Sequence, residues 1–151
     1  MTRELEGKIM DNEDLVREYS NNLTTYEQFT NLMETYICNL LNRDQISFHS
    51  ITSRTKSIES LSKKIELKNK YQKLDEITDL SGIRVITYYT DTVDQISKLI
   101  ENEFIIDRDN SIDKRKSLDP KRFGYRSLHY VVQIDPKYVK AQEYLKYHNL
   151  K

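Results

Sequence analysis

The sequence predicts an α+β or α/β fold, a β-sheet with helices packed on it, because β-type segments alternate with amphipathic helical ones. Two observations support this class most strongly. Apolar residues recur with a helical period at 25–42, and residues 82–89 are rich in Ile, Val, Thr and Tyr, as strands are. With 151 residues, the chain is long enough to form one domain with its own core.

The predicted elements follow one another in a regular order. Two helices come first, the second at about 25–42, and an extended piece at 46–52 precedes a helix at 56–68. The strand at 82–89 is followed by a helix that Asp91 can cap, and then by a short strand at 104–107. A polar loop at 109–122, a strand from Tyr125 and a helix starting at Pro136 complete the chain.

Composition excludes several classes of protein. The 24 basic and 24 acidic residues give zero formal net charge, which argues against non-specific binding of nucleic acids or anionic membranes as the main function. The single cysteine, Cys38, excludes a disulfide framework or a cysteine-based metal site within one chain. No apolar run approaches the roughly 20 residues that cross a bilayer, and Met1 to Gly7 is too charged for a signal peptide. We therefore expect a cytoplasmic protein without a membrane partner.

The first candidate site is a basic stripe. Arg54 precedes Lys56, Ser60 and Lys64, which are four residues apart and would lie on one helix face. Such a stripe at a helix start can bind a polyphosphate through charge-assisted contacts and the helix dipole. The alternative is an ordinary solvated helix face.

The second candidate is Asp79, just before the predicted strand at 82–89. A carboxylate at the mouth of a strand can bind Mg²⁺ together with nucleotide phosphates, or it can serve only as a turn or cap residue. Arg84 points away from Ile83 and Val85 because strand side chains alternate, so it can contact a phosphate or an internal carboxylate.

The third candidate is the strand that begins near Tyr125. Tyr125, Ser127 and His129 share one face, which offers a stacking surface, a hydroxyl and a ring nitrogen, while the opposite face can pack against a core. The basic residues Lys121 and Arg122 come just before it, in a loop that suits a phosphate clamp. The alternative is a half-buried strand behind a flexible surface loop.

In this order, the motifs resemble the synthetase domain of the RelA/SpoT family, over roughly 53–134. The small size suggests the small alarmone synthetases. The resemblance implies an α+β fold, a mixed β-sheet flanked by helices and related to nucleotidyltransferases of the polymerase β type. It divides the chain into an N-terminal helical segment, 1–50, packed on a synthetase core, 51–151, within one domain. It also implies a GTP pyrophosphokinase, which transfers the β,γ-pyrophosphate of ATP to the 3′-hydroxyl of GDP or GTP and makes (p)ppGpp.

The resemblance also implies roles for individual residues, which are carried over by motif. Arg54, Lys56, Ser60 and Lys64 match the family's ATP-phosphate element, and Asp79 in the Asp-Leu-x-Gly-Ile-Arg run matches its Mg²⁺-binding aspartate. In the Gly124 to His129 run, Tyr125 matches the tyrosine that stacks on guanine and His129 the histidine near the acceptor phosphates. Lys121 matches a basic residue near the transferred phosphates, and the neighbouring Arg122 is assigned to the acceptor nucleotide with it. Asp79 and His129 are the expected catalytic residues.

One part of the family pattern is not found. The family carries a glutamate in a Glu-x-Gln-x-Arg-Thr motif, on a strand after the helix that follows the histidine strand. The sequence ends at Lys151, where that strand should begin. We therefore expect a pyrophosphokinase whose 151 residues alone are weakly active or inactive. A homo-oligomer is expected for the full-length protein.

Three alternatives stay open. A toxic synthetase of the same family would modify the 3′ end of tRNA or adenine nucleotides, although zero net charge disfavours a large RNA partner. A non-catalytic nucleotide-binding module would bind ATP or GDP without turnover. A helical interaction protein would use the apolar stripe of the helix at 25–42, a stripe explained more simply as core.

Overall fold

The computed structural model describes residues 9–114 and 127–137, and it has the predicted α+β class. A 3₁₀ turn, Leu74–Glu76, lies between α3 and β2. The helices and strands, in chain order, are α1 (Asn12–Asn21), α2 (Leu23–Arg43), β1 (Ser50–Thr55), α3 (Ile58–Lys68), β2 (Ser81–Ile86), α4 (Thr90–Glu103), β3 (Phe104–Asp113) and β4 (Leu128–Ile134). The two N-terminal helices and the helix after β2 lie where the periodicity predicts them.

The described strands form two antiparallel pairs, β1 with β2 and β3 with β4. In the first pair Arg54 lies opposite Gly82, and Thr52 opposite Arg84. Residues paired in this way point to the same face of the ribbon. Ile51, Ile83 and Val85 pack on the core beside α2, so Arg54 and Arg84 lie on the other face, where both are exposed.

Several boundaries predicted from the sequence were wrong. The extended piece predicted at 46–52 is strand at Ser50–Thr55, and the strand predicted at 82–89 ends at Ile86. The strand predicted at 104–107 continues to Asp113, so the predicted loop at 109–122 is strand over its first five residues. A bulge between Asp107 and Ile112 lets this polar segment stay paired with β4. Helix α3 begins at Ile58 rather than 56, because the Ser57 side chain caps it by accepting the Ser60 N–H.

The N-terminus of α4 also differs from the prediction. Tyr89 occupies the N-cap position, and Asp91 lies in the first turn, where a carboxylate still interacts favourably with the helix dipole. The final helix predicted from Pro136 lies almost entirely outside the described residues. Within the described ranges, no helix is long and apolar enough to span a membrane.

Two apolar clusters hold the elements together. The first cluster joins α2 and α4 to the strands, through Phe29, Met33, Ile37, Leu40, Leu41, Leu99, Phe104 and Ile134. The second cluster joins α1 and α3 to the start of α2 and to the segment before β2, through Leu15, Tyr19, Tyr26, Leu61, Ile65, Leu74, Ile77 and Leu80. The apolar stripe of α2 is therefore core, as expected. The second cluster lies beneath the end of the β1–β2 pair.

Candidate nucleotide-phosphate site

Two lysines and one aspartate meet where β1 ends and β2 begins. The Nζ of Lys56 lies 3.0 Å from Oδ2 of Asp79, and the Nζ of Lys64 lies 2.6 Å from Oδ1. Lys64 also donates a hydrogen bond of 3.1 Å to the Thr78 carbonyl. Each carboxylate oxygen thus accepts from a different ammonium, and the three residues form what we call the lysine–aspartate cluster, with one net positive charge.

The backbone explains why these residues meet. Lys56 lies in the turn between β1 and α3, where its N–H donates 2.8 Å to the Leu80 carbonyl. Lys64 lies farther along α3, whose apolar residues Leu61 and Ile65 are buried and fix the helix orientation. Asp79 adopts a left-handed backbone conformation, with φ of 67°, just before β2. Aspartate tolerates this region better than most residues do.

The basic stripe predicted from the sequence needs correction. Lys56 is not on the helix, because Ser57 caps α3 and the helical residues begin at Ile58. The ammonium groups of Lys56 and Lys64 are still close together, because both form ion pairs with Asp79. Helical spacing is not the cause. The Ser60 hydroxyl lies 2.9 Å from that of Ser57, so in this structure it belongs to the helix cap.

The charge state of Asp79 follows from its partners. Burial alone would raise the pKa of this carboxyl, but hydrogen bonds from Lys64 and Lys56 lower it more, and the net pKa lies below its ordinary value. Asp79 is therefore an anion at neutral pH. Its side chain keeps 45% of its surface exposed, against 12% for Lys56 and 19% for Lys64, so the carboxylate is the member of the cluster most open to a ligand.

Arg54 lies on the exposed face of β1, beside this cluster. A Cβ placed on Gly82 would lie 3.7 Å from Cγ and 4.0 Å from Nε of Arg54, which shows that the arginine side chain extends across the glycine. Arg84 is exposed on the same face, one position along the ladder. The ribbon therefore presents two guanidinium groups on its exposed face, and Arg54 is the one nearer in sequence to Lys56.

His129 lies on β4, and its Nε2 is 3.0 Å from the Ser127 hydroxyl, which agrees with the predicted alternation of side chains. The opposite face carries Val132 and Ile134 into the first cluster, while the Tyr130 hydroxyl lies 2.8 Å from that of Ser97 on α4. Burial, followed by the charges of Lys114 and Arg84, lowers the pKa of His129. The imidazole is therefore neutral at pH 7.

Arg84 on β2 is one of the charges that lower the pKa of His129 on β4, so the two strand pairs lie within electrostatic reach of each other. Three predicted acceptor residues, Tyr125, Lys121 and Arg122, lie outside the described residues, so their roles stay predictions.

One relevant residue, Tyr19, was missed by the sequence interpretation. The only feature of the sequence that could have indicated it is its position four residues after Leu15, on the apolar face of the first helix. A tyrosine buried there needs a hydrogen-bond partner for its hydroxyl.

The donor set is compatible with a magnesium ion delivered by a nucleotide. Within the described ranges, no group of three or more His, Cys, Asp or Glu side chains could form a metal cage. Mg²⁺ often binds through only one or two carboxylates plus substrate phosphates, and the exposed Asp79 carboxylate can supply one such ligand. The residues thus fit a metal that arrives with phosphates, and Asp79 is the residue that would hold it.

Comparison with protein families identifies the class of this protein. Residues 53–145 match the family model described as the region found in RelA / SpoT proteins. This match covers more than half of the chain, and it contains the lysine–aspartate cluster and His129. The chain belongs to this family, as its motifs predicted. A comparison with proteins of curated function gave no match.

Solved structures with the same fold include small alarmone synthetases and a GTP pyrophosphokinase family protein. A GTP pyrophosphokinase family protein from Streptococcus pneumoniae aligns with a TM-score of 0.64 and 24% identity, over 78% of this chain and 60% of that one. Small alarmone synthetase 1 from Bacillus subtilis bound to its product pppGpp aligns with a TM-score of 0.62 and 20% identity, over 78% of this chain and 64% of that one.

The same Bacillus subtilis protein bound to AMPCPP aligns with a TM-score of 0.52 and 16% identity, over 77% of this chain and 68% of that one. At these identities the likeness shows the fold. The chain spans about 60% of the length of the first two structures compared.

Proposed function

We propose that this protein is a pyrophosphokinase that transfers the β,γ-pyrophosphate of ATP to the 3′-hydroxyl of GDP or GTP. The observation that supports this most directly is the lysine–aspartate cluster, in which Lys56, Lys64 and Asp79 meet within ion-pair distance. Related structures of the same fold hold pppGpp and AMPCPP, which is consistent with nucleotide substrates.

The cluster suits a triphosphate bound with magnesium. Without a nucleotide, the Asp79 carboxylate pairs with both ammonium groups and offsets their mutual repulsion, which leaves one net positive charge for a phosphate. If a magnesium–triphosphate bound here, Lys56 and Lys64 would contact phosphate oxygens in place of the carboxylate, and Asp79 would hold the metal ion. Magnesium would there neutralise phosphate charge. Arg54 extends the cationic surface along β1. We also propose that Ser60, at the start of α3, contacts a phosphate of ATP.

The reaction needs an acceptor site on the other strand pair. We assign to it His129, Tyr125, Lys121 and Arg122, with the tyrosine ring stacking on the base. The new bond joins O3′ of the acceptor to the β-phosphorus of ATP, the bond from that phosphorus to the α,β-bridging oxygen breaks, and AMP leaves. The 3′-hydroxyl proton must pass to a base. The neutral His129 has one unprotonated ring nitrogen that can accept a hydrogen bond in this region.

Transfer of label from ATP carrying a labelled γ-phosphate tests this function. GDP, GTP, ATP and bulk tRNA are offered separately as acceptors with Mg²⁺, using the 151-residue chain in parallel with any longer form that its gene encodes. Label on GDP or GTP supports the proposal. Label on tRNA or on an adenine nucleotide would mean that the reaction class is right and the acceptor is different. Nucleotide binding without transfer by every form would indicate a non-catalytic module and overturn the proposal.

Several finer predictions rest on this assignment. Weak turnover by the 151 residues alone, a homo-oligomeric full-length protein and a cytoplasmic location stay predictions. The assay addresses the first of these, because it compares the two forms under one set of conditions.

A further inference from the structure

Helix α1 contributes one buried polar group beneath the lysine–aspartate cluster. The Tyr19 hydroxyl donates a hydrogen bond of 2.5 Å to the backbone carbonyl of Lys56. Tyr19 itself is completely buried, and its ring packs at 5.1 Å from that of Tyr26 in the second cluster. A residue 37 positions earlier in the chain therefore contacts the same residue that contributes an ammonium to the candidate site.

Three separate elements hold Lys56. Its N–H donates to the Leu80 carbonyl before β2, its carbonyl accepts from Tyr19 on α1, and its Nζ contacts Asp79. The next residue, Ser57, already caps α3. Both backbone polar groups of Lys56 are therefore hydrogen-bonded, the N–H to the segment before β2 and the carbonyl to Tyr19 on α1.

The phenol stays a donor over the working pH range. Burial, followed by the neighbouring Tyr26, Glu27 and Asp79, raises the pKa of Tyr19 to about 12. The influence of Asp79 also places the tyrosine within electrostatic reach of the cluster. Loss of the hydroxyl would leave a partly buried carbonyl without this partner, and such groups shift to recover a hydrogen bond.

We propose that Tyr19 is a positioning residue for polyphosphate binding, which holds the Lys56 carbonyl so that the Lys56 ammonium stays directed at the nucleotide-phosphate site. This inference rests on the proposed function, since it assumes that the lysine–aspartate cluster binds the phosphates of ATP. It assigns a role to α1, which lies before the segment that matches the family model at residues 53–145.

The test compares Tyr19→Phe with Tyr26→Phe in the 151-residue chain. Both substitutions remove one hydroxyl from the same buried cluster, but only the first removes the hydrogen bond to Lys56. Affinity for α,β-methylene-ATP with Mg²⁺ is measured by calorimetry below the melting temperature of each variant. We expect about a fivefold to tenfold loss for Tyr19→Phe, the effect of one hydrogen bond, and less than about twofold for Tyr26→Phe.

A double-mutant cycle with Lys56→Ala separates positioning from general destabilisation. If Tyr19 acts through the Lys56 ammonium, Tyr19→Phe causes little further loss of affinity once that ammonium is absent. An equal loss in the Lys56→Ala background, or equal effects of the two tyrosine substitutions, would overturn the inference. The proposed function fails separately, when the unmodified chain does not bind the analogue at all.

Discussion

The two strand pairs carry their charged groups in different settings. At the end of β1–β2, Lys56 and Lys64 form ion pairs with both oxygens of Asp79, at 3.0 and 2.6 Å. On β3–β4, burial and then the charges of Lys114 and Arg84 lower the pKa of His129 and keep its ring uncharged. In the first region both lysines already have a carboxylate partner before any ligand binds, with one positive charge left over, whereas in the second two cations act on a neutral ring.

This difference suggests how the work is divided in the proposed reaction. If a magnesium–triphosphate bound in the first region, its phosphate oxygens could become the partners of the two lysines and Asp79 could hold the metal, so that each charged group would keep a partner. Beside His129, the cations Arg84 and Lys114 can attract the acceptor phosphates. The comparison can be tested region by region, beginning with the core that supports the strands.

The largest effect is expected for Leu40→Asp in the first cluster. Leu40 keeps only 5% of its surface exposed, and an unpaired carboxylate there would cost several kcal/mol, a large part of the stability of a typical domain. We expect loss of the cooperative thermal transition measured by circular dichroism. The control is Asn39→Asp, which introduces the same group at an exposed position of α2. A folded Leu40→Asp variant would instead support an interaction surface on this helix.

The next effect concerns the cluster itself. Lys64→Ala should weaken binding of magnesium–ATP analogues by about 1.5–3 kcal/mol, the range for a charge-assisted contact. Calorimetric titration measures this change. Lys63→Ala removes the same charge from the adjacent exposed position of α3 and should have little effect. Equal losses in both variants would mean that general electrostatic attraction, rather than the cluster, binds the phosphates.

On the acceptor side, Tyr125→Ala should weaken GDP binding by about 1–3 kcal/mol, the range for base stacking on an aromatic ring. The exposed Tyr89 provides the control, since Tyr89→Ala also removes one tyrosine ring. Fluorescence titration with a labelled GDP measures both variants. Unchanged GDP affinity in Tyr125→Ala would remove this residue from the proposed acceptor site.

The smallest effect is the pH dependence of stability due to Asp79. Its pKa is lowered in the folded state, so its ion pairs stabilise the protein above the unfolded pKa, about 3.9, and this contribution is lost as pH falls through the folded value. The difference in unfolding free energy between the unmodified chain and Asp79→Asn should therefore be constant near neutral pH and shrink below about pH 4. Since the carboxylate is partly exposed, we expect less than about 1 kcal/mol in total.

Urea titrations at several pH values measure this dependence. A difference for Asp79→Asn that grows as the solution is acidified would have the wrong sign for a carboxylate stabilised by the two lysines.

Much of the fold could be predicted from the sequence because buried apolar residues recur at regular spacing, every three to four residues in a helix and every second residue in a strand. The stripe of α2 and the alternation around Arg84 and His129 both follow from which side faces the core. The continuation of β3 through Asp113 was missed because its residues are polar, and backbone pairing with β4 holds them in the strand. Local side-chain capping by Ser57 likewise moved the start of α3, which no apolar pattern could show.

The candidate site was predictable as a set of residue types but not as a geometry. The motifs indicated Lys56, Lys64 and Asp79, yet sequence spacing placed both lysines on one helix. Their meeting depends on the turn at Lys56 and on the left-handed backbone at Asp79, which are set by tertiary contacts. Tyr19 could not be predicted because its partner is a main-chain carbonyl, which leaves no pattern in the sequence.

The most direct test of the account is the magnesium dependence of ATP-analogue binding in the unmodified chain and in Asp79→Asn. Asparagine keeps the shape of the side chain and tolerates the left-handed backbone, so the substitution removes mainly the charge. Calorimetric titrations with α,β-methylene-ATP are run with Mg²⁺ and with a chelator. If Asp79 holds the metal, we expect Mg²⁺ to increase the affinity for the ATP analogue strongly in the unmodified chain and hardly at all in Asp79→Asn. The same increase in both proteins would contradict it.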